Sequence, residues 1–273
     1  MRRPACRSGA AVAALAFLLA APSFVFAGPV AMAPHKALYA LSLDEANEGA
    51  SVGAVDGAIY LKWAETCEGY VTDQRILTRL WGGEGEVGTT DLTSNSFEAR
   101  DFSTLRFSMT TKTDDEIVDR VEGAARKGSP GEIVYRAPRK AKGALDARAV
   151  FPNELSYKVL DAALAGEHWV DVVLFEGGEA DEIYHVVVFI GAKKDAAAGR
   201  PEGDPSLQVL DGIASWPVTL SYYDLAVGEG VARYEVRFRL YANGVSDEVH
   251  LDYGDFSVFG RLQSIELLAL PKC

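Results

Sequence analysis

Three cysteines and four histidines are the side chains of this 273-residue chain best suited to covalent or metal chemistry. No histidine has the HExxH spacing or another spacing typical of a metal site, and no G-x-S-x-G segment offers a serine nucleophile. His185 lies in an apolar run typical of a strand. His250 and Asp252 share one strand face, which fits half of an acid–base pair or a solvated surface. We therefore predict no catalytic residues, no metal and no cofactor, and a protein that is not an enzyme.

The first residues of the chain have the pattern of a secretory signal peptide. Arg2, Arg3 and Arg7 precede a short apolar run from Ala10 to Ala21, and small residues before position 28 permit cleavage after Ala27. The apolar run is too short for a comfortable membrane span. We therefore predict a signal peptide over residues 1–27 and an exported domain over 28–273.

Removal of the signal peptide leaves two cysteines, Cys67 and Cys273. Disulfides persist in the compartments that exported proteins reach, so an even pair of thiols favours a bond between them. Closing so long a loop would stabilise the fold by about 4–5 kcal/mol in the chain-entropy model. The alternatives are two buried free thiols or one reactive thiol at the terminus.

The exported chain is acidic, with 24 Lys and Arg against 39 Asp and Glu, a formal charge of −15. Such a surface repels nucleic acid and anionic lipid, so neither is expected as the main partner. The stretch Arg139 to Lys142 is the only local basic cluster, and it is typical of a solvated loop or strand edge.

Alternating apolar residues separated by turn residues predict a long series of β-strands that starts at His35 and ends near Leu270. Asn243-Gly244 predicts a tight type I′ hairpin turn. One helix interrupts the strands. It begins at Phe151-Pro152-Asn153-Glu154, with Asn153 as the expected cap, and ends at Gly166. We predict one mainly β domain, an incompletely closed antiparallel β-barrel with this helix packed on or inside it.

Several segments, taken in order, resemble the EipB-like family of cell-envelope integrity proteins. They are His35-Lys36-Ala37-x-Tyr39, Cys67-x-Gly69-Tyr70 followed by Gln74-Arg75, the start of the helix, and Cys273. The resemblance implies a periplasmic protein with a spiral-like, broken β-barrel that encloses a helix and resembles the LolA and LolB fold. It also implies the Cys67–Cys273 disulfide, no established enzymatic activity, and a periplasmic partner built of helical (TPR-type) repeats.

Aromatic side chains are the remaining candidates for a binding site. In a half-open barrel they would either line a cavity for a lipid or acyl chain or fill the core. The candidates for lining such a cavity are Tyr60, Trp63, Trp81, Trp169, Trp216 and Tyr222.

Two functions fit these expectations. The first is a non-enzymatic periplasmic protein that supports envelope integrity through protein–protein contacts on its curved sheet. The second is a carrier or sensor of a hydrophobic ligand, a lipid or the acyl chain of a lipoprotein, held in the open barrel. The second rests on analogy of fold.

Overall fold

A computed structural model describes residues 31–48, 50–83, 85–178, 183–195, 205–225 and 230–273. The predicted signal peptide lies outside these residues. The described chain forms strands, one α-helix and one short 3-10 helix at Pro205–Leu210. The strands and the helix are β1 His35–Ala46, β2 Ala54–Glu65, β3 Gly69–Gly82, β4 Gly85–Ala99, β5 Thr104–Thr113, β6 Glu116–Arg126, β7 Gly131–Ala137, β8 Ala141–Leu145, β9 Ala149–Val150, α1 Pro152–Ala165, β10 Trp169–Leu174, β11 Tyr184–Ile190, β12 Ser215–Asp224, β13 Tyr234–Tyr241, β14 Ser246–Asp252 and β15 Phe256–Leu267.

All fifteen strands belong to one sheet, in the order β8-β7-β6-β5-β4-β3-β2-β1-β15-β14-β13-β12-β11-β10-β9. The first and last strands of the chain are neighbours, because β1 pairs with both β2 and β15. The two ends of this order, β8 and β9, are separated by residues 146–148 alone. The sheet therefore curves into a nearly closed barrel with one unsealed seam, and the predicted mainly β, incompletely closed barrel is confirmed.

Strand β1 shows how the sequence pattern sets the inside of the barrel. Ala37, Tyr39 and Leu41 are buried, and the residues between them are exposed. Successive side chains of a strand point to opposite faces, so this alternation places one face against the core. The Tyr39 hydroxyl also donates a hydrogen bond of 2.8 Å to the carbonyl oxygen of Ser246.

Helix α1 packs against β10 and β11 inside the curved sheet. Its inward face buries Leu155, Val159, Leu160 and Ala163, spaced as one stripe of a helix. Gly166 ends the helix in a left-handed conformation, with φ of 77°, as predicted. With fourteen residues the helix gains its stability from this tertiary packing.

The seam is closed from within by a cluster of buried side chains that come from both ends of the sheet. The Phe107 ring of β5 meets the Phe175 ring, which follows β10, edge to face at 5.6 Å between centroids. Phe151, at the start of α1, packs on Phe175, and Leu145 of β8 belongs to the same cluster. Apolar packing therefore replaces the missing strand pairing at the seam.

The predicted type I′ turn at Asn243-Gly244 is corrected. The hairpin is present, but only Gly244 has a positive φ, 81°, whereas a type I′ turn needs positive φ at both central residues. The amide of Gly244 donates to the carbonyl oxygen of Tyr241, and the amide of Tyr241 donates to the carbonyl oxygen of Val245. These two bonds close a three-residue loop. Met32 packs so closely on Gly244 that a Cβ there would lie 2.8 Å from its Cγ.

Candidate functional site

A cavity of about 240 Å³ lies between α1 and the inner face of β12 and β13. Its walls are mostly apolar, and the lining residues come from the helix, four strands (β10, β12, β13 and β14), the connections after β10 and β13, and the segment before β1. Enclosed apolar cavities with few polar groups are typical of ligand sites. The apolar lining residues include Met32, Leu155, Val159, Leu220, Val236 and Leu240.

A few polar groups interrupt this apolar wall. Ser156 donates to the carbonyl oxygen of Pro152 at 2.9 Å, so its hydroxyl is already used by the helix. The Tyr222 ring stacks on Tyr234 with centroids 4.3 Å apart. Burial, followed by the charge of Glu176, raises the pKa of Tyr222. At physiological pH the cavity therefore presents a neutral phenol beside the carboxyl group of Glu176.

The start of α1 is held by a carboxyl group from a distant strand. Glu98 of β4 is fully buried and accepts hydrogen bonds from the backbone and side-chain amides of Asn153, at 2.6 and 2.7 Å. The amide of Glu154 donates to its other oxygen at 3.3 Å. The first amides of a helix have no partner within the helix, and a negative group at that end is favoured. Glu98 thus caps the helix from β4.

The prediction that Asn153 caps the helix is corrected accordingly. Phe151 occupies the cap position and makes no capping hydrogen bond with its side chain. The Asn153 side chain instead links two elements, because its oxygen accepts the Trp63 indole N–H at 2.6 Å. Lys127 contacts Glu154 and lies over the Phe151 ring, 4.9 Å from its centroid. The start of the helix is therefore fixed to β2, to β4 and to the segment that follows β6.

Burial raises the pKa of Glu98 to about 7, and the hydrogen bonds from Asn153 and Glu154 oppose this shift. The carboxyl group consequently titrates near neutral pH. Glu98 does not line the cavity beside α1, and the backbone amides of Asn153 and Glu154 both donate to it. We interpret Glu98 as a structural group.

Cys67 and Cys273 form a disulfide with their Cα atoms 5.5 Å apart, across 206 positions of sequence. The loop between β2 and β3 that carries Cys67 is also held by Arg100, which donates to the carbonyl oxygens of Cys67 and Thr66 and pairs with Glu65. The disulfide therefore holds the segment that follows β15 against the loop between β2 and β3.

The six aromatic candidates occupy three different environments. Tyr222 lies on the cavity wall. Trp63 and Trp216 are buried in the same core cluster without lining the cavity. The interior placement expected of Tyr60, Trp81 and Trp169 is corrected, because 41%, 36% and 56% of their side chains are exposed.

These corrections have a common reason in strand position. Alternation along a strand separates the side chains into two faces. It does not distinguish an aromatic residue that points outward from one that points into the barrel. Leu38 pairs with Tyr60 across β1 and β2, and both are exposed. Most of the cavity residues absent from the six candidates are aliphatic, such as Leu220 and Val236, and they carried no distinguishing signal, although aromatic Phe238 also lines the cavity.

Two histidines pair with carboxylates on the outside of the barrel. His185 lies 2.9 Å from Asp171, and His250 lies 2.8 Å from Asp44. Ser257 also donates to Asp44, at 3.3 Å, so the carboxylate stands between serine and histidine. A nucleophile is activated by direct contact with the base, and neither imidazole is hydrogen-bonded to a hydroxyl or thiol in the described part of the chain. These pairs do not assemble a nucleophile with its base.

The described residues contain neither a cluster of metal ligands nor a membrane-spanning helix. Across the described ranges, no three His, Cys, Asp or Glu side chains are grouped so that they could hold a metal ion. Within the same ranges, no helix has the length and apolar character needed to cross a membrane.

Comparisons with known proteins cover nearly the whole chain. The model of the EipB-like family matches residues 26–269. A relative named cell envelope integrity protein EipB, from Brucella abortus (strain 2308), is 31% identical over 279 aligned positions, which span 100% of this chain and 96% of the relative.

A solved structure agrees with the architecture described above. It is the crystal structure of a beta-barrel-like protein of the domain of unknown function DUF1849 from Brucella abortus. It superimposes with a TM-score of 0.81 at 28% sequence identity, and the match covers 88% of this chain and 100% of that one. Together, the family match along most of the chain and the barrel with its enclosed helix show that this protein belongs to the EipB-like family.

Proposed function

We propose that this chain is an exported, non-enzymatic periplasmic protein that supports the integrity of a cell envelope by holding one acyl chain beneath α1. The cavity between the helix and strands β12 and β13 carries the proposal. An apolar cavity of 150 Å³ can hold one benzene molecule, so about 240 Å³ suits a single slender chain. The envelope role itself comes from the printed name of the EipB relative.

The polar groups at the cavity favour a particular head group. Glu176 would repel the carboxylate of a free fatty acid at close range. The Tyr222 phenol stays neutral and can donate a hydrogen bond to an ester or amide carbonyl. The proposed ligand is therefore an acyl chain in ester or amide linkage, as in a lipid or a lipoprotein.

Native mass spectrometry of the exported protein tests this proposal. A monoacylglycerol should add one equivalent to the wild-type protein and to Val118→Phe, because Val118 is 62% exposed on β6. Val159→Phe fills the cavity from the helix and should abolish the adduct. The matching free fatty acid should bind more weakly. Equal uptake by Val159→Phe and wild type would refute the proposal, as would a wild-type protein that takes up neither probe.

A second candidate function, contact with a partner protein, is favoured by the open edge of β10. On one side β10 pairs with β11 along its length, but on the other only Val173 and Leu174 pair, with β9. The edge from Trp169 to Val172 has no strand partner within the described residues. A groove of about 400 Å³ separates this edge from α1. Such an edge can accept an extended segment as an additional strand.

The charges along this groove indicate the kind of segment that would fit. Asp161, Glu167 and Asp171 line it together with one cation, Lys158. Exposed Trp169 adds an apolar contact. We propose an extended, basic segment of a periplasmic partner, for which a helical-repeat envelope protein is the candidate that the family resemblance implies.

Asp171→Pro tests this second candidate. The amide of Ile190 donates to the carbonyl of His168, so the backbone groups of Trp169 and Asp171 face away from β11. Proline at 171 should remove one outward donor, keep the sheet and abolish capture of a helical-repeat protein from envelope extract. Asp171→Asn loses the same charge but keeps the donor and should retain capture. Unchanged capture by Asp171→Pro would contradict addition at this edge.

A further inference from the structure

Basic side chains that are far apart in sequence converge on the outer face of β13 and β14. Arg237 and Arg239 lie on β13, His250 on β14, and Lys194 follows β11. All four line one outer cavity of about 230 Å³. Thr219 pairs with Arg237, and Arg237 pairs with His250, so these three side chains form a row across three strands.

Two positive charges of this cavity, on Lys194 and Arg237, are not compensated by carboxylates within the described residues. Glu248 is the only acidic residue on its wall, and it pairs with Arg239 at 2.7 Å. Within the described residues, neither Lys194 nor Arg237 has a carboxylate partner. His250 contacts Asp44 through Nδ1, and its Nε2 has no hydrogen-bond partner there. On a chain whose exported part carries a formal charge of −15, this cavity concentrates unpaired positive charge.

The backbone beside the cavity adopts an unusual conformation. Glu248 has a φ of 52°, and the pairing of β13 with β14 shifts between Arg237 and Arg239. Bulges of this kind re-aim a side chain, and a non-glycine residue is rarely left-handed without support. Asp247 supplies that support, because it accepts hydrogen bonds from the amides of Glu248 and Leu262, at 2.7 and 2.9 Å. The bulge turns Glu248 onto Arg239 and leaves Arg237 unpaired.

We propose that this outer cavity binds a phosphate group. The Arg237 guanidinium, the Lys194 ammonium group and the Thr219 hydroxyl can donate to a tetrahedral anion from different directions. A planar carboxylate would engage fewer of them. The phosphate can come from a lipid head group or from a soluble phosphate, since the recognising chemistry is the same.

This site lies on the opposite face of the sheet from the proposed acyl-chain cavity, although Phe238 lines both. The acyl cavity uses the inner face of β13, at Val236 and Leu240, whereas the phosphate site uses its outer face, at Arg237 and Arg239. The two proposals can therefore succeed or fail separately.

Calorimetric titration of the exported protein with inorganic phosphate at low ionic strength tests the site. We expect saturable binding of one equivalent, weakened about tenfold in Arg237→Gln, because a hydrogen-bonded ionic contact is lost. Arg139→Gln is the matched control. It makes the same change of charge at an exposed residue on the loop between β7 and β8, and it should leave the affinity unchanged. Circular dichroism confirms that both variants are folded.

Flotation with vesicles identifies the source of the phosphate. If wild type binds both inorganic phosphate and phosphatidylglycerol vesicles, ignores phosphatidylcholine vesicles, and loses both interactions in Arg237→Gln, the ligand is a lipid head group. Binding of inorganic phosphate alone identifies a soluble phosphate. The absence of saturable phosphate binding, or equal weakening by Arg139→Gln, overturns the proposal.

Discussion

The start of helix α1 and its flank differ sharply in how completely side chains fill the space between helix and sheet. The anchored end consists of Glu98, Phe107, Phe151, Asn153 and Phe175, and every side chain there is at most 5% exposed. The open flank, formed by Val159, Val236, Leu240 and their neighbours, surrounds a cavity of about 240 Å³. One helix is thus fixed rigidly at its start and packed incompletely along its side. The difference indicates that the void is compatible with a stable fold because stability is concentrated elsewhere.

Truncation of Phe175 should have the largest effect. We expect Phe175→Ala to lower the free energy of unfolding by about 4 kcal/mol, because the ring is fully buried and bridges both ends of the sheet. Leu240→Ala on the open flank should cost about 2 kcal/mol, since it enlarges a space that already exists. Urea unfolding measures both. Equal losses would show that the two regions are packed alike.

Loss of the disulfide should cost nearly as much as loss of Phe175. Cys67→Ser should lower the stability of oxidised protein by about 3–4 kcal/mol, because the unfolded chain regains the freedom of a long loop. Thermal unfolding with and without reductant measures this effect. Reductant should lower the melting temperature of wild type and leave that of the variant unchanged, and the same response in both proteins would contradict the account.

The buried carboxyl group at the anchored end should make stability depend on pH. The pKa of Glu98 is about 7 in the folded chain and near 4.5 in the unfolded one, so between these values the folded state retains a proton that the unfolded state has lost. Its contribution therefore weakens the fold as pH rises from about 4.5 to 7, by on the order of 3 kcal/mol.

Glu98→Gln tests this dependence because glutamine does not titrate in that range. Relative to wild type, the variant should gain stability progressively between pH 5 and pH 7 in urea unfolding. Asp101→Asn, at an exposed residue after β4 whose pKa is lowered rather than raised, should not show that gain. Parallel curves for Glu98→Gln and wild type would show that Glu98 remains ionised throughout.

Adding one methylene group should have the smallest effect on stability, and it distinguishes the cavity from the filled core most directly. Val236→Leu adds one methylene beside the cavity and should change the free energy of unfolding by less than about 1 kcal/mol. Val121→Leu, in the filled cluster with Phe107, should destabilise by about 1–3 kcal/mol. Chemical unfolding of the pair measures the contrast. If Val236→Leu costs as much as Val121→Leu, the flank has no usable space.

Local patterns predicted the barrel well but not its sites. Alternation at His35 to Leu43 and a left-handed glycine at 166 depend on neighbouring residues, so the strands and the end of the helix could be predicted. The Glu98 cap joins residues 55 positions apart, and Glu98 has no local feature that marks it. Only the folded sheet brings such partners together.

The distribution of positive charge shows the same limit of prediction from local sequence. Sequence reasoning found one basic cluster, Arg139 to Lys142, because those residues are adjacent. In the structure Lys142 pairs with Glu132, so that cluster is partly neutralised. A second concentration of unpaired positive charge forms from Lys194 and Arg237, which are distant in sequence and lie on separate elements. Register between strands, rather than proximity along the chain, creates it.

The cap supplied by Glu98 also sets an order of events during folding. Until β4 is in place, the amides of Asn153 and Glu154 can bond to water but not to Glu98, and β4 is itself held by β3 and β5. A contact over so many residues closes slowly, because the entropy of the intervening chain opposes it. We therefore expect the start of the helix to be fixed late in folding, after the sheet has assembled around it.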